Sequence, residues 1–257
     1  MNAVEVIRHQ NARSLADAVA AQLITHIVET QSAGVRPHIV LTGGGIGTAV
    51  LASIAKGTGL NAVDWELIEI WWGDERYLPA GDPERNETAA RSALLDLVHI
   101  PSRNLHAIAG PDATADAESS AAAYADELER YRRPEDHAPV PSFAVMLLGI
   151  GPDGHVASLF PEHPALHDDR VVTAVHGSPK PPSTRITMTL PTIGAAREVW
   201  VLASGTEKAA AVRLALEPTA GVLQVPAAGA RGRERTLFLI DEQAAAKLPP
   251  GLGRPTA

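Results

Sequence analysis

The sequence predicts an α/β fold: a mainly parallel sheet with helices on both faces. Three observations predict it. Short apolar, β-branched runs recur at residues 38–41, 67–72, 143–148, 171–175, 185–189, 199–203 and 236–240. Most are nearly continuous rather than alternating, as in strands covered on both faces. Helically spaced segments lie between several of them, and strand–helix alternation favours parallel pairing. The 257 residues are 45% hydrophobic, enough for one α/β domain, residues 1–257, with a large core.

The helices follow from spacing. Leu15, Val19, Leu23 and Ile27 recur every four residues, so the first 35 residues are expected to hold about one helix. Ala90, Leu94 and Leu97 line one face of a second. Residues 121–131 are alanine-rich with charges on the other side, and residues 207–216 make a fourth helix. The proline-rich stretches 133–142 and 176–183 read as surface loops, and the tail LPPGLGRPTA as loosely held.

Composition removes whole function classes. The chain has no cysteine, which excludes disulfides, thiolate metal sites and cysteine nucleophiles. A net charge of −8 argues against nucleic acid as a partner, since phosphate backbones demand clustered Lys and Arg. The start MNAVEVIRHQ lacks a leader pattern, and no apolar run reaches the roughly 18 residues of a membrane span. A cytoplasmic protein without membrane contact, monomeric or a small homo-oligomer, is the expectation. His163 and His167 are spaced i,i+4, but Pro164 lies between them and there is no H-E-x-x-H. They read as loop histidines, and no metal is expected. No G-x-S-x-G elbow is present.

Ligands of open α/β sheets bind beyond the carboxyl ends of the strands, and four chemically loaded loops fall there. Thr42-Gly43-Gly44-Gly45-Ile46-Gly47-Thr48 leads into a helix. Glycines let backbone N–H groups approach an anion, and the helix start adds about half a positive charge. The loop fits a phosphate monoester site or a tightly packed turn. Asp74-Glu75-Arg76 follows Trp71-Trp72, as a solvated turn or as part of a site. Lys208, in the fourth loop 204–208, opposes the dipole of its helix, which makes sense if an anion sits there; otherwise it is an exposed lysine.

The third loop reads "LLGIGPDGH" over residues 147–155 and contains G-x-G-x-x-G. A dinucleotide is nevertheless rejected. Asp153 would set a negative charge beside a pyrophosphate, and the acid expected about 20 residues on is missing. Instead the loop offers an acid, Asp153, and a histidine, His155, that can act as acid or base near neutral pH.

Together and in this order, "LTGGG", "WWGDERYLP", "LLGIGPDGHVASLFP", "RITMTLP" and "LASGTEKAAAV" resemble the 6-phosphogluconolactonase family, with "GxGxDGHxASLFP" the most specific part. The similarity runs over about residues 35–216. It implies the fold of glucosamine-6-phosphate deaminase and ribose-5-phosphate isomerase-like proteins. It also implies hydrolysis of 6-phospho-D-glucono-1,5-lactone in the oxidative pentose phosphate pathway, with no metal or organic cofactor. By the resemblance, His155 is catalytic, Arg76 is an active-site arginine, and Asp74 and Asp153 are polar site residues. Gly43, Gly44, Gly45 and Lys208 are phosphate ligands, and Arg185 is a further one.

The chain departs from its wider family in two places. Many relatives have Ser or Thr two residues after a Gly-Gly pair, whereas Gly45-Ile46-Gly47 stands here, so phosphate contacts would rely on backbone N–H groups and on Thr42 or Thr48. Deaminase members carry F-N-E-P after D-G-H, and Phe160 occupies that glutamate's place, which favours the lactonase branch. Two rivals stay open: an amino-sugar-phosphate isomerase or deaminase, and a non-catalytic sugar-phosphate sensor. No helix-turn-helix precedes the domain to support the sensor.

Overall fold

The structure, a computed structural model, describes residues 4–136 and 138–255. Position 137 of the 133–142 loop and the last two residues of the tail lie outside the described residues. The strands are β1 (Val4–His9), β2 (His38–Leu41), β3 (Glu69–Trp72), β4 (Asp74–Arg76), β5 (Leu105–His106), β6 (Phe143–Gly149), β7 (Val172–Val175), β8 (Arg185–Met188), β9 (Glu198–Ala203), β10 (Arg235–Asp241) and β11 (Arg254–Pro255). The α-helices are α1 (Ala12–Ser32), α2 (Gly44–Lys56), α3 (Asn86–Ala93), α4 (Ala117–Tyr131), α5 (Leu190–Gly194) and α6 (Ala209–Ala215).

The main sheet is parallel throughout, in the order β11-β1-β10-β9-β6-β2-β3-β5. Helices pack on both of its faces. After β2 the chain moves outward to β3 and β5; after β6 it moves the other way, to β9 and β10. The adjacent pair β2 and β6 therefore forms the switch point of the fold, and a crevice opens beyond their carboxyl ends. The core is continuous apolar packing, with Trp71, Trp72, Trp200, Phe143 and Phe238 fully buried.

The structure differs from the sequence expectation in several elements. The runs 171–175 and 185–189 do not join the main sheet. They form β7 and β8, paired antiparallel with each other and, through β8, with β4. The connection between them, residues 176–184, is shorter than the roughly dozen residues a parallel crossover needs. The N-terminal segment adds a strand as well as a helix, since Val4–His9 pairs with β10. The tail is tied to β1 through Arg254–Pro255. The second helix ends at Ala93, and Leu97, in the following 3₁₀ turn, is 64% exposed rather than buried.

Candidate active site

A cleft of about 500 Å³ lies over the switch point. It gathers Thr42, Gly43, Gly44, Gly45, Asp74, Arg76, His155, Arg185 and Lys208 from five separate stretches of sequence. Two expected residues are absent from its lining. Asp153 stands behind His155, and Thr48 lies inside α2 on a face that does not line the cleft, between Ile46 and Ala49, which do.

The first wall is the start of α2. Gly43 is its N-cap and makes no side-chain cap bond. The first-turn N–H groups thus lack the usual side-chain acceptor, and they carry the positive end of the helix dipole. Two of the glycines are required by the geometry. Gly44 takes φ +79°, and a Cβ on Gly43 would overlap the Asn86 side-chain amide. Thr42 Oγ1 accepts the Gly149 N–H at 3.2 Å, tying this loop to the end of β6.

The second wall is the 149–155 turn. Gly151 N donates to His155 O at 2.9 Å and Gly154 N to Gly151 O at 3.0 Å. The turn spends on itself the donors a pyrophosphate would need. Gly154 sits at φ +88°, and a Cβ on Gly151 would overlap the imidazole. The glycines thus fold the loop tightly enough to stand His155 at the cleft edge. Its Nδ1 meets Asp153 Oδ1 at 2.5 Å, which places the ring proton on Nδ1 and leaves the Nε2 lone pair for the cleft. Burial pushes the Asp153 carboxyl up, but the His155 hydrogen bond and the His155 and Lys180 charges outweigh it and hold it well below the usual carboxylate range. Phe160, 1% exposed, packs its ring centroid 4.6 Å from that of His155.

The third wall is the Asp74-Glu75-Arg76 strand. Asp74 is buried; its Oδ2 accepts the Ser158 hydroxyl at 2.7 Å, and its main-chain oxygen accepts the Asn86 amide at 2.9 Å. Glu75 points away from the cleft. It caps α3, taking the N–H groups of Asn86 at 2.7 Å and Glu87 at 2.8 Å. Burial pushes its carboxyl up. Arg76 donates through Nη1 to the Glu84 carbonyl, and its Nε is buried with no partner among the described residues.

The fourth wall is the 204–208 turn. Gly205, at φ +101°, bends it, and Asp241 holds it by accepting Ser204 Oγ at 2.6 Å and Gly205 N at 3.1 Å. Lys208 closes the 3₁₀ turn Thr206–Lys208 and is the N-cap of α6. Burial pushes its ammonium down, and the Lys180 charge adds to that, against the opposing charge of Glu207.

Sequence reasoning missed Asn86, Ser158, Lys180, Ser204 and Glu207. All but Ser158 line the cleft. Lys180 matters most: its Nζ stands 3.4 Å from His155 Nδ1 and 3.7 Å from Asp153 Oδ1. It comes from the 176–183 stretch, which read as a surface loop. The one available signal was a lone lysine inside Ser-Pro-Lys-Pro-Pro shortly before Arg185.

The arrangement offers a histidine–carboxylate pair, a bare helix start and four cations around one crevice. The model of the family described as glucosamine-6-phosphate isomerases/6-phosphogluconolactonase matches residues 10–239. The chain is 53% identical to a 6-phosphogluconolactonase of Streptomyces coelicolor, over 98% of each chain. It is 47% identical to one of Mycobacterium tuberculosis, over 91% of this chain and 94% of that one. The solved 6-phosphogluconolactonase of Trypanosoma brucei superposes with a TM-score of 0.84 at 29% identity, over 97% of this chain and all of that one. A monomeric glucosamine-6-phosphate deaminase shares the fold, with a TM-score of 0.79 at 20% identity over 95% of this chain and 99% of that one. By family match and by identity over nearly its whole length, the chain belongs to the glucosamine-6-phosphate isomerase/6-phosphogluconolactonase family.

Proposed function

We propose that the chain hydrolyses 6-phospho-D-glucono-1,5-lactone to 6-phospho-D-gluconate, the second step of the oxidative pentose phosphate pathway, with His155 as general base. It would act as a single-domain cytoplasmic enzyme, monomeric or a small homo-oligomer, without metal or organic cofactor. No helix among the described residues is long and apolar enough to cross a membrane. The observation that carries the reading is the His155–Asp153 pair, with His155 lining the same cleft as Lys208 and the uncapped start of α2.

The chemistry follows from those groups. A lactone is an activated ester, so water needs a base but no covalent nucleophile. His155 Nε2 takes a proton from water as the oxygen attacks C1. The tetrahedral oxyanion then collapses, the bond from C1 to the ring oxygen breaks, and the imidazolium returns its proton to that oxygen. The new carboxylic acid ionises. Asp153 keeps the ring in the productive tautomer and stabilises the transient imidazolium. Arg76 lines the cleft, and its guanidinium charge can stabilise the negative charge that develops there. Lys208 and the α2 N–H groups hold the phosphate, so binding energy from a remote group orients the reacting carbon.

Phe160 supports the lactonase reading over the isomerase or deaminase one. A buried phenyl ring packs beside His155, at the position where deaminase members carry the glutamate that helps to open the sugar ring. The decisive assay follows the disappearance of freshly generated 6-phosphogluconolactone with and without the protein, beside ammonia release from glucosamine 6-phosphate. Lactone turnover without ammonia supports the reading. Ammonia release would establish the deaminase, and binding without any turnover would establish the sensor.

A further inference from the structure

Arg185 opens β8, lines the cleft and is 5% exposed. Family resemblance makes it a phosphate ligand, but most of its donors are already committed. Nε donates to Pro182 O at 3.2 Å, and Nη2 donates to Pro181 O at 2.9 Å and to Lys180 O at 3.2 Å. Three of its five N–H donors thus grip three consecutive carbonyls. Ser178 bonds the N–H and the carbonyl of Lys180, but Pro181 and Pro182 have no N–H of their own, and the Arg185 fork is what holds their carbonyls. Cζ of Arg185 also lies 5.7 Å from the centroid of Phe160, the ring that packs on His155. The gripped segment carries Lys180, whose ammonium pairs with Asp153 Oδ1 at 3.7 Å beside the protonated Nδ1 of His155.

We infer that Arg185 is a positioning residue: it clamps the 180–182 segment so that Lys180, rather than Arg185 itself, is the cation at the reacting end of the cleft. Lys180 shares Asp153 Oδ1 with the imidazole and thereby fixes the carboxylate that holds the His155 tautomer. A planar fork is required for this grip, and a lysine at position 185 would keep the charge but not span three carbonyls.

The inference rests on His155 being the base, and its test includes readouts independent of turnover. Arg185→Lys, Arg185→Gln, Lys180→Met and the Lys180→Met/Arg185→Gln double variant are compared with wild type. The measurements are lactone kcat and KM, affinity for inorganic phosphate by calorimetry, and the heteronuclear histidine spectrum, with the His155 signals assigned through His155→Asn. Expected for both Arg185 variants is a kcat loss of about tenfold with KM and phosphate affinity within about threefold. The Nδ1–H tautomer signal of His155 should weaken in both Arg185 variants and in Lys180→Met. The double variant should be within about twofold of Lys180→Met alone, because the two residues act in series.

The inference is overturned if Arg185→Gln weakens phosphate about tenfold and Arg185→Lys restores it, the behaviour of a direct ligand. Additive losses in the double variant, or an unchanged His155 spectrum, overturn it equally. Should Arg185→Gln not fold, as judged by circular dichroism, Arg185→Lys against Lys180→Met carries the comparison. If wild type turns over no lactone, the functional reading fails, while the spectrum and the phosphate affinities still decide the role of Arg185.

Discussion

Arg76 and Arg185 stand directly opposite each other across the antiparallel β4–β8 ladder. Like charges so paired destabilise a sheet, and here burial and the Arg76 charge both push the Arg185 guanidinium down, against the opposing charge of Asp74. The pair persists because Arg185 is held by carbonyls and Arg76 by Glu84, at a cleft that also contains Lys180 and Lys208. An anion in the cleft relieves this repulsion. Inorganic phosphate or 6-phosphogluconate is therefore expected to stabilise the fold by about 2.7 kcal/mol at a hundred times its Kd. At roughly 2–4 °C per kcal/mol for a chain of this size, that is a rise in Tm of about 5–10 °C. Scanning calorimetry with and without ligand checks it, and an equal rise with neutral glucose would show that the anion is not what is recognised.

Lys208 is expected to act on the part of the substrate that does not react. It is half-buried beside a turn that Asp241 fixes. Losing one charge-assisted hydrogen bond costs about 1.5–3 kcal/mol. Lys208→Ala should therefore raise KM roughly tenfold or more while kcat stays within about threefold. Steady-state kinetics on fresh lactone decide it. A variant with normal KM and depressed kcat would place Lys208 at the reacting carbon instead.

The site was legible wherever a loop's chemistry is written in consecutive residues. The glycines of 43–45, the Asp153–His155 pair and the Asp74–Arg76 strand each sit directly after a recognisable strand, and parallel topology sends all such ends to one edge. Lys180 was illegible for the opposite reason. Its loop has no periodicity, and contacts that no sequence pattern records, the Arg185 grip and the Ser178 bonds to Lys180, hold it near His155. The small sheet was half legible. The runs 171–175 and 185–189 read as strands, but hydrophobic patterning does not name a strand's partner. The length of the connection did carry that information. Glu75 shows a further limit: its neighbours face the cleft, yet its own carboxylate turns inward to cap α3, a distinction no string of three charges makes.

A pH-dependent stability should come from the far side of the sheet. His106, 1% exposed, bonds Glu127 through Nδ1 at 2.6 Å and Glu69 through Nε2 at 2.9 Å, and stacks on Trp71 at 3.7 Å. Burial pushes its imidazole down, but the two carboxylates outweigh that and leave it raised. Its neighbour His38, which accepts the Trp71 N–H, is pushed by burial down to about 4 and adds no charge near neutrality. A raised folded value means that the stabilisation is complete below the unfolded value of about 6.5 and is lost as pH rises through the folded value. Removing one partner of such a buried pair costs about 3–5 kcal/mol. His106→Gln should therefore lower Tm most near about pH 6, with the deficit shrinking towards about pH 9. Melts across that range test it, and a deficit that grows with pH would refute the assignment.

His155→Asn is expected to lower kcat by about 10²–10⁴, the usual range for losing a general base, with KM changing little. The argument is positional and chemical together. The 149–155 turn consumes its own N–H groups to hold the ring at the cleft edge, and Asp153 occupies Nδ1, so Nε2 is the nitrogen left to meet water. Cysteine is absent from the chain, and the described residues hold no metal-binding cluster. Spontaneous lactone hydrolysis rises with pH and has to be subtracted at every point. Retention of more than about a tenth of wild-type kcat by the folded variant would mean that another group activates water. Asp74 would then be next in line, since the Ser158 hydroxyl and the Asn86 amide already orient its carboxyl group at the cleft wall.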